Sequence, residues 1–162
     1  MPKEIGVLFV CMGNICRSPT AEAVFARLIA DADLNQHIRH DSAGTYDFHP
    51  GKRPDPRSQS AAGRRGYELN HLQARVIRDR DFEEFDHILA MDRDNYDDLR
   101  ARCPREHIHK VELFLTYAPR IDAEEVPDPY TGGAQGFDLV LDMIEEGTKG
   151  LVDHLRDRLG RS

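Results

Sequence analysis

The chain has 162 residues and a mass of 18.5 kDa, a size that predicts one domain covering residues 1–162. Its 29 acidic residues outnumber the 22 basic ones, and the net charge of −7 argues against a nucleic-acid or acidic-membrane partner. The sequence contains no apolar run long enough to span a membrane and no signal-peptide pattern, so we expect a cytoplasmic protein without a membrane partner.

The first predicted element is a strand. Residues 5–10 form a short apolar run, which is typical of a strand buried on both faces of a parallel sheet. After the segment 11–18, apolar residues recur at spacings of three and four between Ala21 and Ile29. This spacing predicts a helix with one buried stripe, and Pro19 is suited to its first turn.

Three further strands and the helices between them follow along the chain. The strands are predicted at residues 38–42, 87–91 and 109–113. Asp92 is expected to cap a helix that runs through Tyr96 and Leu99, and Gly160 is expected to end the last helix. The buried face of that last helix is predicted to consist of Phe137, Leu141, Ile144, Leu151, Leu155 and Leu159.

The alternation of strands and helices predicts an α/β fold. It has a four-stranded parallel sheet flanked by helices on both faces, with a phosphate loop between the first strand and the first helix. Two long segments rich in Gly and Pro, residues 44–57 and 116–136, each follow a predicted strand. Because open parallel sheets bind ligands at the carboxyl ends of their strands, we expect both segments to meet the loop at residues 11–18.

That loop reads Cys-Met-Gly-Asn-Ile-Cys-Arg-Ser and has the character of an anion site. Lying between a buried strand and a helix start, it can point successive backbone N–H groups inward. Gly13 and Asn14 tolerate the positive φ that such a curl needs, and Arg17 can hold two phosphate oxygens. The predicted phosphate-binding residues are Met12, Gly13, Asn14, Ile15, Cys16, Arg17 and Ser18.

Cys11 is the predicted nucleophile of this loop. The backbone amides, Arg17 and the Ser18 hydroxyl are expected to stabilise its thiolate, which would attack phosphorus in line without a metal or other cofactor. The simpler interpretation is a small buried residue at a strand end with a solvated Arg17 nearby. This simpler interpretation is disfavoured because four features occur together in one short segment: the strand, the Gly-Asn pair, the Arg-Ser pair and the helix start. The GxxxxGK loop of nucleotide triphosphatases is absent.

Asp128 is the predicted general acid and base. It lies in Val-Pro-Asp-Pro-Tyr at residues 126–130, where two prolines stiffen the segment and Tyr130 follows closely enough to line the same pocket. An isolated Asp-Pro pair usually marks a turn. The position of Asp128 in a long loop after the last strand, at the same sheet edge as Cys11, favours the catalytic role.

Three segments together resemble the low-molecular-weight protein tyrosine phosphatases. They are Val-Cys-Met-Gly-Asn-Ile-Cys-Arg-Ser-Pro at residues 10–19, Asp-Ser-Ala-Gly at 41–44 and Asp-Pro-Tyr at 128–130. The resemblance covers nearly the whole chain. It implies a four-stranded parallel sheet flanked by helices, with Cys11 as nucleophile, Arg17 as phosphate ligand and Asp128 as general acid.

The resemblance also implies supporting residues, a redox partner and a substrate. The supporting residues are Asn14, Ser18, Ser42, His71 and Asp92. The implied redox partner is Cys16, which would form a reversible disulfide with Cys11. The implied substrate-pocket residues are Met12, Phe48 and Tyr130, and the substrates would be phosphotyrosine-containing proteins and small aryl phosphates, with a tyrosine kinase as counterpart. We expect a monomer, whose weak self-association would be visible in sedimentation.

Other functions compete with this interpretation. An arsenate reductase of the same fold would relay oxidation through a further cysteine pair near the middle of the chain, and that pair is missing. A non-catalytic phosphotyrosine-binding module is disfavoured by the joint presence of Cys11, Arg17 and Asp128. A redox switch using Cys11 and Cys16 is compatible with phosphatase activity.

Cys103 is the remaining cysteine, and its surroundings in the sequence suggest two alternative roles. With Tyr96 and Leu99 it falls on an apolar helix stripe, which predicts a core position. A zinc site with His107 and His109 would have three ligands and no clear fourth, so we expect no metal.

Overall fold

The computed structural model describes residues 4–47, 49–130 and 134–160. Its strands are β1 (Ile5–Cys11), β2 (Ile38–Gly44), β3 (His87–Ala90) and β4 (Val111–Leu113). They form a four-stranded sheet in the order β2-β1-β3-β4, and every pair is parallel. The predicted parallel sheet is therefore confirmed.

Five α-helices surround this sheet within the described residues: α1 (Arg17–Asp31), α2 (Pro56–Gly63), α3 (Asp81–Glu84), α4 (Arg93–Arg102) and α5 (Ala134–Gly160). Short 3₁₀ turns at Arg105–Lys110 and Phe114–Tyr117 flank β4. None of the helices in the part of the chain that the structure describes is long and apolar enough to cross a membrane.

Strand β1 is buried along its whole length because helices cover both of its faces. Val7 and Phe9 pack into a cluster built with α1 and α5, where Phe9 meets Phe25 edge to face. Leu8 and Val10 point to the other side, into a cluster with apolar residues of α3 and α4. The continuous apolar run of β1 thus follows from burial on two faces rather than one.

The observed strand boundaries differ from the predicted ones by one residue in β1 and β3 and by two residues in β2 and β4. Strand β2 continues to Gly44, because Gly44 lies directly opposite Cys11 in the β1–β2 register. The fourth strand begins at Val111 rather than at His109, because residues 105–110 turn in a 3₁₀ helix and only Val111–Leu113 pair with β3. The predicted cap of α4 is present, with an Asp92 oxygen accepting the Asn95 N–H at 2.8 Å.

The carboxyl ends of the strands bring the predicted functional segments together. Loop 12–16 follows β1 at the centre of the sheet, and β2 ends beside it at Gly44. On the other side of β1, β3 leads into Asp92 at the start of α4. Segment 118–130 joins the same edge, where the Val126 N–H donates to the carbonyl of Met91 at 2.8 Å.

Candidate active site

A cavity of about 220 Å³ opens at this edge of the sheet. It brings together the predicted nucleophile, the predicted phosphate ligand and the predicted general acid, which come from three separate parts of the chain. The lining residues are Cys11, Met12, Gly13, Ile15, Cys16, Arg17, His49, Asp128 and Tyr130.

The Cys11 thiol lies at the base of a short hydrogen-bond relay. Its Sγ is 3.0 Å from the Ser18 Oγ, and that hydroxyl accepts a hydrogen bond from the Asn14 amide Nδ2 at 2.8 Å. Because Asn14 occupies an acceptor position of the hydroxyl, the hydroxyl proton is available to the sulfur. The relay therefore allows the Ser18 hydroxyl to donate a hydrogen bond to the Cys11 sulfur.

Asn14 also fixes the curl of the loop. Its backbone has a φ of 57°, in the left-handed region that Asn tolerates better than most residues. Its side-chain oxygen accepts the backbone N–H of Arg75 at 2.9 Å. One amide group thus connects the loop, the Ser18 hydroxyl and the segment that follows α2.

The loop carbonyls are held on the outside by neighbouring backbone. The N–H groups of Thr45 and Tyr46 donate to the carbonyls of Cys11 and Met12 at 2.9 and 3.0 Å, and Asp55 donates to Ile15 at 2.8 Å. Since the N–H and C=O of a trans peptide point in opposite directions, anchoring the carbonyls outward turns the following N–H groups inward. Such an array of N–H groups at the start of α1 binds anions.

Gly44 makes this anchoring possible by its lack of a side chain. A Cβ at Gly44 would lie 2.6 Å from the carbonyl oxygen of Met12 and 3.1 Å from the carbonyl carbon of Gly13. The end of β2 can therefore approach the loop closely only with glycine at this position.

Arg17 is the buried cation of the site, with 2% of its side chain exposed. Its Nη1 donates to an Asp92 oxygen at 2.6 Å and to the Val126 carbonyl at 3.0 Å, and its Nη2 lies 3.7 Å from an Asp128 oxygen. Burial acts to lower the pKa of the guanidinium, but the charges of Cys11, Asp92 and Asp128 outweigh it and raise that pKa. Arg17 is thus a permanent positive charge beside Cys11.

Asp128 stands at the mouth of the cavity with 45% of its side chain exposed. One carboxylate oxygen accepts the backbone N–H of Tyr130 at 3.0 Å, so the other oxygen is directed towards Arg17. Arg57 holds this segment in turn, since its Nη2 donates to the Tyr130 carbonyl at 2.7 Å and to Asp55 at 3.0 Å. The acid-bearing segment is therefore attached to the start of α2.

Cys16 is a second buried thiol in the same loop. Burial, together with the charges of Asp55, Cys11 and Asp128, raises its pKa to about 12, although a hydrogen bond with Ser58 acts in the opposite direction. Cys16 is therefore a protonated thiol at neutral pH.

Two residues implied as loop supports, Ser42 and His71, take no part in the loop hydrogen bonds described above, and a third implied residue is untested. The Ser42 hydroxyl donates to Glu22 at 3.0 Å, so it belongs to a network on α1 rather than to the loop itself. His71 is exposed, and the donor to Asn14 is the backbone N–H of Arg75. Phe48 lies outside the described residues.

Sequence reasoning missed three residues of the site. His49 lines the cavity, its ring centre lies 6.4 Å from that of Tyr130, and it lies against Gly13. Its position next to Phe48 in the long loop is the only sequence signal for it. Arg57 and Arg75 act through contacts with backbone groups, for which the sequence carries no pattern.

Cys103 lies at the end of α4, against the apolar cluster on the opposite side of the sheet from α1 and α5. It is partly buried there and does not line the cavity around Cys11. Over residues 4–47, 49–130 and 134–160, no group of three or more His, Cys, Asp or Glu side chains is arranged to hold a metal ion.

Comparisons with known proteins agree with this geometry. The model of the family described as low molecular weight phosphotyrosine protein phosphatase matches residues 6–160. The chain is 44% identical over 154 residues to a putative low molecular weight protein-tyrosine-phosphatase of Synechocystis, covering 94% of this chain and 98% of that protein. It is 43% identical over 136 residues to the Homo sapiens low molecular weight phosphotyrosine protein phosphatase, covering 83% and 85%. A crystal structure of a protein tyrosine phosphatase from Entamoeba histolytica, with Hepes in its active site, superimposes with a TM-score of 0.92 at 40% identity, covering 95% and 98%.

Proposed function

Because the chain belongs to the low molecular weight phosphotyrosine protein phosphatase family, and is therefore a phosphoric monoester hydrolase, we propose that it hydrolyses phosphotyrosine through a cysteinyl-phosphate on Cys11. The observation that carries this proposal is the position of the Cys11 sulfur. The sulfur lies 3.0 Å from the Ser18 hydroxyl, which already accepts a hydrogen bond from the Asn14 amide. The same loop contains the buried Arg17. Substrates would be phosphotyrosine proteins and small aryl phosphates.

In the first step the Cys11 thiolate attacks phosphorus and the bond from phosphorus to the phenolic oxygen breaks. The inward N–H groups and Arg17 hold the three non-bridging oxygens. The hydrogen bonds from Arg17 to Asp92 and Val126 both use Nη1, so Nε and Nη2 can form the bidentate contact with phosphate. Asp128, protonated in this step, donates its proton to the leaving oxygen.

In the second step the Asp128 carboxylate takes a proton from water, and the water oxygen attacks phosphorus. The bond from sulfur to phosphorus breaks, inorganic phosphate leaves, and the thiolate of Cys11 is restored together with the protonated Asp128. The exposure of Asp128 at the cavity mouth supports both roles, because solvent and a leaving phenol reach it directly.

The preference for aryl esters is supported by the walls of the cavity. Tyr130 and His49 present aromatic rings beside the loop, and Tyr130 is 47% exposed. A phenyl ring entering between these rings would lie against apolar surface, whereas a small alkyl phosphate would leave them in water.

One assay tests the nucleophile. Wild type is expected to release nitrophenol from nitrophenyl phosphate in the presence of a chelator, and Cys11→Ser is expected to lose more than about 10³-fold in kcat. Cys103→Ser removes a thiol outside the cavity and is the matched control, with activity close to wild type. Acid quenching during turnover should trap a phosphate on the Cys11 peptide. An active Cys11→Ser, or a trapped phosphate elsewhere, would falsify the mechanism.

The role of Asp128 is tested with leaving groups of different basicity. Asp128→Asn is expected to lower kcat/KM for phenyl phosphate more than for nitrophenyl phosphate, since only the poorer leaving group requires the proton. Equal losses for the two esters would remove Asp128 from the acid role.

A redox response is part of the proposal. Peroxide would convert the Cys11 thiolate to a sulfenic acid with release of hydroxide, and attack by Cys16 would form the disulfide with release of water. Both thiols are buried and line one cavity, which supports this pairing. Mass spectrometry after peroxide tests it: wild type should lose two hydrogens reversibly, whereas Cys16→Ser should proceed to the irreversible higher acids of Cys11.

A further inference from the structure

A second depression, about 630 Å³ in volume, lies between segment 121–127 and the outer face of α5. We call it the α5 groove. Its apolar lining consists of Ile121, Ala123, Pro127, Leu139 and Met143. Pro127 directly precedes Asp128, so the groove begins next to the residue at the mouth of the catalytic cavity. A polypeptide that places a phosphotyrosine in the cavity can therefore reach this groove with a neighbouring residue.

Leu139 lines the α5 groove and is unusually exposed for a large apolar side chain. It is 53% exposed, whereas its neighbour along the helix Val140 is buried in the core at 3%. The core of α5 is thus formed by other positions, and Leu139 adds apolar surface on the water side of the helix. With Tyr46 and Tyr130, it is one of three large hydrophobic side chains exposed to this extent among the described residues. Exposed apolar surface of this kind is typical of a binding surface.

The charged residues that line the α5 groove within the described chain are all acidic. Glu125, Asp142 and Glu146 form its rim, and no lysine or arginine of the described chain lines it. Arg65 lies 2.8 Å from Asp142 and offsets part of that charge. The Glu125 carboxylate accepts the backbone N–H of Arg93 at 2.9 Å. The rim therefore attracts a basic group and repels an acidic one.

We propose that the α5 groove binds the substrate segment that flanks the phosphotyrosine, and that it selects segments carrying an aliphatic side chain next to Lys or Arg. The proposal rests on the proposed phosphatase function and assigns its protein-substrate class. The aliphatic side chain packs on Leu139 and Pro127, and the basic group lies at the rim beside Glu146. Substrate specificity then comes from two parts of the surface. The catalytic cavity binds the phosphoaryl group, and the α5 groove binds the neighbouring residues of the substrate.

The test compares phosphotyrosine peptides of equal length. One set carries Leu-Arg at successive distances on either side of the phosphotyrosine, and the reference set carries Ser-Glu at the same positions. Wild type is expected to show about tenfold higher kcat/KM for the best Leu-Arg peptide than for its Ser-Glu counterpart. The ratio should shrink at about 0.5 M NaCl, because salt screens the rim charges.

Two groove variants and one control locate the preference. Leu139→Ser and Glu146→Lys are each expected to lower the ratio at least about threefold, while the rate on nitrophenyl phosphate stays at the wild-type value. Glu106→Lys reverses an equally exposed charge outside the groove and should leave the ratio unchanged. A wild-type ratio near one, or a ratio unaffected by both groove variants, overturns the proposal.

The nitrophenyl phosphate rate separates this proposal from the phosphatase function on which it rests. An enzyme inactive on that ester fails the proposed function, whereas an active enzyme without flank preference fails the groove proposal alone. Sedimentation velocity covers another occupant, a second copy of the chain. A wild-type dimer that Leu139→Ser dissociates, with no peptide preference, also overturns the proposal.

Discussion

One oxygen of the Asp92 carboxylate accepts the Arg17 guanidinium at 2.6 Å, while the other accepts the Asn95 N–H at 2.8 Å and caps α4. A single side chain thus positions the Arg17 guanidinium and caps the start of α4. The two roles can be separated, because a cap needs only a short oxygen-bearing side chain whereas the contact with Arg17 needs the second carboxylate oxygen.

We expect Asp92→Ser to retain the cap and to lower kcat on the order of 10²-fold, since Arg17 loses the acceptor that orients it. Asp92→Ala should show the same loss of kcat and a further decrease of about 1 kcal/mol in the free energy of unfolding relative to Asp92→Ser. Steady-state kinetics and urea denaturation measure the two effects.

The matched control for this pair is Asp94→Ser, which makes the same replacement at an exposed position in the first turn of α4. It should keep kcat within about twofold of wild type. A wild-type kcat in Asp92→Ser would show that Arg17 does not need Asp92 for its orientation.

Gly44 provides a prediction about the shape of the loop. Gly44→Ala places a Cβ 2.6 Å from the Met12 carbonyl oxygen, so the loop backbone must shift. We expect a loss of about 1–3 kcal/mol in the free energy of unfolding and a fall in kcat/KM on the order of 10²-fold. Thermal denaturation and nitrophenyl phosphate kinetics measure both.

Gly63→Ala is the control, because it makes the same substitution at a position where the added Cβ would have no neighbouring atom within 4 Å. Gly63 is the last residue of α2, where alanine should stabilise by about 0.5–1 kcal/mol without an effect on kcat/KM. Equal behaviour of the two variants would show that close approach at Gly44 does not shape the loop.

Much of this architecture is predictable from the sequence, and the limits have physical causes. The run at residues 5–10 reads as a doubly buried strand because its environment is apolar on both faces. The Arg17–Asp92 contact joins residues 75 positions apart and depends on β3 lying next to β1, which no local pattern encodes. The donor to Asn14 is the backbone N–H of Arg75, a group that every residue except proline carries, so no sequence pattern indicates this contact.

The two loop cysteines should differ in their reaction with iodoacetamide. The pKa of Cys16 is raised to about 12 by burial and nearby negative charge, so its thiolate fraction at pH 7 is about 10⁻⁵. We expect alkylation at Cys11 alone, and inorganic phosphate should slow it by occupying the cavity. Both cysteines lie on the tryptic peptide 4–17, so tandem mass spectrometry must assign the site. Alkylation of Cys16 at neutral pH in the folded enzyme would contradict the prediction.

Acid is expected to destabilise the protein through two groups at the opposite end of the sheet from the cavity. Burial acts to raise the pKa of Glu112, but hydrogen bonds from His87 at 3.2 Å and from Tyr117 at 2.9 and 3.0 Å lower it below the usual 4.5. Burial and the charges of His87 and Arg158 lower the pKa of His154 below 6.5. In both cases the unfolded chain binds protons at a higher pH than the folded chain does, so the free energy of unfolding falls as the pH falls.

Glu112 and His154 affect stability in different pH ranges, so substitutions can distinguish their two contributions to the free energy of unfolding. His154→Gln should flatten the decrease in stability that begins near pH 6.5, whereas Glu112→Gln should flatten the decrease below pH 4.5. Because the Glu112 charge raises the pKa of His154, Glu112→Gln should also extend the upper range to lower pH. Urea denaturation across pH measures both slopes, and one group contributes at most about 1.4 kcal/mol per pH unit. Glu68→Gln neutralises an exposed carboxylate and is the control, with a wild-type profile. Since the glutamine oxygen at position 112 can still accept the Tyr117 hydroxyl, a changed slope in Glu112→Gln reports the titration of the carboxylate rather than the loss of that contact.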